Sequence, residues 1–125
     1  MKFYFKTDAN KHIGSGHLRR CINLARILND KHQIYFLLTN TTHKLVQKLR
    51  KKYKIKNFKN NKEILLKAKK NFKKKENNFL IIDDYSTKYK WEKLISNFFF
   101  KTLVIGDDLS KKHYCDLYLN QNILD

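Results

Sequence analysis

Short apolar runs that stop at aspartate, each separated from the next by a segment of helical period, constrain this 125-residue chain most strongly. KFYFKT (2–7) ends at Asp8, NFLIID (78–83) ends at the pair Asp83 and Asp84, and KTLVIGDD (101–108) closes on Asp107 and Asp108. QIYFLL (33–38) is almost continuous in apolar residues, as strands buried on both faces are. KIKNF (54–58) and CDLYLNQN (115–122) read as shorter strands.

The intervening segments repeat at helical spacing. HLRRCINLARIL (17–28) puts Leu18, Cys21, Ile22, Ala25 and Leu28 on one stripe. TTHKLVQKLRKK (41–52) does so with Leu45, Val46 and Leu49, with Thr41 or Thr42 as cap. NKEILLKAKKNFKKK (61–75) carries Ile64, Leu65, Ala68 and Phe72 inward, and STKYKWEKLISNFF (86–99) starts at a candidate cap, Ser86. Strands alternating with helices imply a parallel sheet covered on both sides by right-handed crossovers. The expected fold class is therefore α/β, a Rossmann-like doubly wound sheet of order 3-2-1-4-5. There is no internal repeat or linker, so residues 1–125 read as one domain with a real core.

That layout gives the molecule a polarity. Asp8, Asp83, Asp84, Asp107 and Asp108 are five of the eleven acidic residues, and all stand at carboxyl ends of expected strands. In open α/β sheets ligands bind at that edge, near the switch point between the first and fourth strands. The basic residues lie elsewhere. Residues 44–75 carry fourteen lysines and Arg50 against Glu63 alone, +14 of the chain's net +17. Of the 28 basic residues 24 are lysine, whereas phosphate and base recognition favours arginine. The segment is read as a solvated face, and no nucleic-acid partner is expected. No apolar run is long enough to span a membrane, and MKFYFKTD is charged too soon for a signal peptide, so a cytoplasmic protein without a membrane partner is expected. Cys21 and Cys115 lack metal-ligand spacing and read as reduced thiols.

Within KHIGSGHLRRC (11–21), two glycines stand just before a histidine at the start of a helix. A dinucleotide fingerprint would need glycine where Arg19 stands and an acid where Thr39 and Asn40 stand, and no Gly-Lys-Ser/Thr completes a P-loop. What remains is a loop that delivers His17 to a helix's first turn. The positive pole of that helix should depress the imidazole pKa and keep the ring neutral, as a general base requires. A histidine that merely caps or packs fits the same position, and the residues leave both roles open. His12 and His113 read as solvated, His32 and His43 as structural. The paired aspartates suit a hard divalent cation but more often cap helices or tie loops, so no metal is assigned. Tyr85, just past the fourth strand, should face the same crevice.

Three ordered blocks then carry a resemblance. TDANKHIGSGHLRRCINLARIL (7–28), LIIDDY (80–85) and IGDDLSKKHYCDLYLNQN (105–122) resemble the amino-terminal signature of the UDP-2,4-diacetamido-2,4,6-trideoxy-β-L-altropyranose hydrolases of pseudaminic acid biosynthesis, with their spore-coat polysaccharide relatives. The resemblance implies the amino-terminal half of a GT-B-like fold and a UDP-sugar substrate. It implies hydrolysis at the anomeric carbon with inversion and without metal or other cofactor. It makes His17 the base that activates water, with Gly14, Ser15 and Gly16 as the loop beside it. Tyr85 would line the sugar pocket, with Asp8, Asp83 and Asp108 holding its shape. Lys6 stands where the family commonly has arginine and Asp84 where it often has histidine, departures that would shift substrate preference. The family's second, carboxyl-terminal domain, which grips the nucleotide, would have to come from elsewhere, and little activity is expected of this chain alone. A GT-B glycosyltransferase half and a basic polyanion-binding module are the alternatives.

Overall fold

The computed structural model describes residues 1–8, 16–39, 41, 44–72, 77–107 and 110–121. Ten elements follow in order: β1 (Lys2–Thr7), α1 (Gly16–Leu28), β2 (Gln33–Thr39), α2 (Leu45–Leu49), β3 (Lys54–Phe58), α3 (Asn61–Asn71), β4 (Asn78–Asp83), α4 (Tyr89–Ser96), β5 (Lys101–Gly106) and β6 (Leu117–Asn120). The strands form one sheet of order β3-β2-β1-β4-β5-β6, parallel at every pairing. This is the expected doubly wound α/β architecture, with β6 added beyond β5, and its order reverses between β1 and β4. Among the described residues no helix is long and apolar enough to cross a membrane.

The two faces of the central strands carry two cores. Phe5 points to one face, stacked on Phe36 at 5.3 Å, where Leu18, Cys21 and Ala25 of α1 and Val46 and Leu49 of α2 cover it. Tyr4 points to the other, stacked on Tyr35 at 4.6 Å, beneath Ile64, Leu65 and Ala68 of α3 and Ile95 of α4. Each fully buried Phe or Leu removed from water contributes about 1.5–3 kcal/mol. Burial on both faces explains why these strands lack a polar alternation.

Helix α1 fills its expected span, whereas α2, α3 and α4 are shorter than their periodicity predicts. The segment expected over 41–52 is helical only at Leu45–Leu49, and its cap position is Lys44, with no side-chain cap. Thr41 instead donates its hydroxyl to the Thr39 carbonyl at 3.1 Å, and Thr42 lies outside the described residues. Ser86 is not the cap of α4 either, since Lys88 holds that position. The Ser86 amide and hydroxyl both donate to Asp84 Oδ1 at 2.7 Å, a local turn that competes with helix entry. In α3, Asn60 caps the Glu63 amide at 2.9 Å and the helix ends at Asn71.

Candidate active site

The parallel register sets Thr7 of β1 beside Asp83 of β4, so Asp8, Asp84 and Tyr85 leave the sheet together at the switch point. Helix α1 starts above that edge and turns His17 down onto Asp83, the imidazole Nδ1 lying 2.6 Å from Asp83 Oδ1. Arg20, one turn further along α1, grips the same carboxylate with both prongs, Nε to Oδ2 and Nη2 to Oδ1, each at 2.6 Å. Its remaining nitrogen, Nη1, donates to Gln121. Asp83 is fully buried and accepts all three bonds, as a buried charge must be matched.

This arrangement fixes the histidine's tautomer. A carboxylate can only accept, so His17 Nδ1 carries the proton and Nε2 holds the ring's lone pair. The approach of Arg20 Nη2 to Nδ1, at 3.2 Å, sets one donor beside another. The hydrogen bond that His17 donates to Asp83 pushes the His17 pKa above its usual value, against the opposing effects of burial and Arg20. The depressed pKa expected from the helix pole is therefore corrected. A full carboxylate charge in hydrogen-bond contact outweighs the half charge at a helix end. His17 is thus a stronger base than its helix position alone would make it.

Tyr85 stands over the pair with 57% of its surface exposed. Its ring meets the His17 imidazole edge-on at 4.4 Å, and its hydroxyl donates to Asp107 at 2.7 Å, a bond that raises the phenol's pKa. Asp8 is buried, and among the described residues its Oδ1 has no hydrogen-bond partner. Burial, then the neighbouring Asp84 charge, raise its carboxyl to about 6. An ion-pair floor lies below: Lys6, fully buried, donates to Asp84 and, at 3.1 Å, to the Thr39 hydroxyl. Burial would push the Asp84 carboxyl up, but Lys6 and the two Ser86 bonds outweigh it and hold the carboxyl below its usual value. Lys6 and Asp84, the two departures from the resembled family, thus satisfy each other.

The structure brings His17, Asp83, Tyr85 and Asp8 together, while Gly14, Ser15 and Asp108 lie outside the described residues, as do His12 and His43. Among the described residues nothing lies within 4 Å of a Cβ placed on Gly16. His113 departs from the solvated reading: its Nδ1 lies 2.8 Å from Glu92 Oε2, and Glu92 is fully buried. His32 packs edge-on against Phe3, as a structural residue does. Cys21 is buried within the first core, its thiol pKa pushed up by burial, and both cysteines are free. Among the described residues no group of three or more His, Cys, Asp or Glu is placed to hold a metal ion. A larger cleft of about 570 Å³, beside Met1, Asp30 and Asn77, opens at the amino ends of the strands, away from the edge where such sheets bind ligands.

Sequence reasoning missed Arg20, Glu92 and His113 as site-building residues. Arg20 had a signal, lying three residues after His17 and so on the same helix face. Glu92 had a weaker one, an acid three residues before the buried Ile95. No protein-family model matches this chain, and no curated protein matches it.

Proposed function

We propose that this chain forms the sugar-side half of a metal-independent hydrolase of nucleotide-linked sugars, acting on a UDP-2,4-diacetamido sugar in surface-glycan biosynthesis. The Asp83–His17 pair at the switch point carries the reading. Water held at His17 Nε2 attacks the anomeric carbon as the bond from that carbon to the phosphate oxygen breaks. UDP leaves with the bonding electrons, Nε2 takes the proton from water, and the free sugar is released with inversion. Asp83 engages Nδ1, which leaves Nε2 as the nitrogen able to take a proton, and it stabilises the imidazolium that forms.

The surroundings suit that chemistry. Attack at an anomeric carbon builds positive charge on the sugar ring, and the Asp8 and Asp107 carboxyls lie along the edge it would occupy. Among the described residues nothing crowds Gly16, beside the base. In this reading the GT-B-like partner domain grips the nucleotide, and most of the binding energy comes from it. The experiment measures UDP release from the UDP-diacetamido sugar, with and without the resembled family's second domain supplied as a separate polypeptide. Turnover that His17→Ala abolishes supports the reading, and transfer to an added acceptor instead of water would mark a glycosyltransferase. No UDP release under either condition would overturn it.

A further inference from the structure

The mechanism above leaves a second histidine–carboxylate pair unused. Glu92, on the inner side of α4, is fully buried, and an unpaired charge is almost never buried to that degree. It accepts from the Thr87 hydroxyl at 2.9 Å, from the Tyr114 amide at 3.0 Å and from His113 Nδ1 at 2.8 Å. The bonds from His113 and Tyr114 fix the segment after β5 and orient one imidazole within it, while that from Thr87 ties Glu92 to the turn before α4. The His113 ring also stacks on Tyr118 of β6, centroids 5.3 Å apart and planes 24° apart. Nδ1 is committed to Glu92, so Nε2 lies on the opposite side of the ring.

His113 is part of the wall of a cleft of about 280 Å³ at the carboxyl ends of β4, β5 and β6. Tyr85, Tyr118, Ile105, Lys111 and Asp107 complete most of that wall. Gly106 lies directly against the Tyr118 phenol, which would have to shift to admit a Cβ there. Tyr85 joins this cleft to the catalytic pair: one part of its ring meets His17, and its hydroxyl reaches Asp107. Lys111 braces it from below, donating to the Tyr85 carbonyl at 3.0 Å.

We infer that this cleft is a monosaccharide subsite, and that His113, held by Glu92, contacts a ring hydroxyl or acetamido group of the bound sugar. The choice of ligand rests on the hydrolase reading. The volume falls at the small end of ligand pockets, suited to one sugar ring and too small for a whole nucleotide. Two phenol rings and Ile105 offer apolar walls for a sugar face and an acetamido methyl. Lys111 faces two acids here, Asp107 and the Lys6-paired Asp84, a lining that suits a neutral polar ligand better than a diphosphate.

The test titrates the full chain with N-acetylglucosamine at millimolar concentrations, following Tyr85, Tyr118 and His113 by NMR, with UDP as a parallel probe. His113→Asn is the informative variant, because its side-chain amide can still donate to Glu92 while the Nε2 position is removed. The subsite requires that the sugar shift these three residues and that His113→Asn weaken binding about five- to tenfold, the cost of one ligand hydrogen bond, with an unchanged Tm. No shift with the sugar, an equal affinity in His113→Asn, or the same residues responding to UDP instead would overturn the subsite. The hydrolase reading fails separately: sugar binding without any UDP release leaves the subsite standing, whereas turnover with unchanged KM and kcat in His113→Asn sinks the subsite alone.

Discussion

His17 and His113 are held the same way, Nδ1 against a fully buried carboxylate, yet their surroundings differ in what they permit. Asp83 shares its oxygens with the Arg20 guanidinium, a full positive charge on a partly exposed side chain. Glu92 shares its oxygens with a hydroxyl and a backbone amide, which are fixed by the fold. The first pair can gain a proton beside a cation that offsets the carboxylate, as a base must during turnover. The second serves to pin a ring in place. One pairing thus yields a reactive group or a rigid contact, depending on the third partner.

The largest effect should come from breaking the first pair at its base. His17→Ala should lower turnover by about 10²–10⁴-fold with the fold retained, measured as UDP release alongside circular dichroism. Asp83→Asn attacks the same pair from below. It leaves Arg20 without its counter-charge and should cost about 3–5 kcal/mol in urea unfolding, because one partner of a buried ionic group is removed. Its effect on pH follows from the raised His17 pKa. Turnover needs the neutral ring, so the acid limb should lie above 6.5 in the native protein and move down in Asp83→Asn. Stability runs the other way: the pair's contribution is fully present below the unfolded value of 6.5 and is lost as pH rises through the higher folded value.

Asp8 sharpens the contrast, being a carboxyl at the same edge whose burial, with the Asp84 charge, outweighs the pull of Lys6 and His17. Its folded value of about 6 lies above the ordinary 3.8, so the native state holds this proton more tightly and stability falls as pH rises between the two. Asp8→Asn should therefore raise Tm at pH 7.5 and leave it nearly unchanged at pH 4. Asp84, held low by Lys6, has the opposite sign: its contribution is present above 3.8 and lost as pH falls below it. The smallest effect should come from Asn60→Ala, remote from both histidines, at about 1 kcal/mol for the lost α3 cap and with no change in activity.

The sheet was legible because its strands are buried on both faces. KFYFKT, KIKNF and NFLIID match β1, β3 and β4 residue for residue. Helix ends were less legible, since capping depends on competition: Ser86 is a sound cap by type, but Asp84 captures its hydroxyl and amide. In the site, strand polarity placed His17, Asp83, Tyr85 and Asp8 at one edge. The charge state of His17 could not be read locally, because the carboxylate that sets it lies 66 residues away. Glu92 and His113, 21 residues apart, were hidden for the same reason, and no motif links them.

The most direct measurement is a ¹⁵N NMR titration of the His17 ring in the native protein and in Asp83→Asn. The expected result is a neutral ring protonated at Nδ1, with a pKa above 6.5 that falls when Asp83 is replaced. A ring protonated at Nε2, or a pKa at or below 6.5 that ignores Asp83→Asn, would contradict the account.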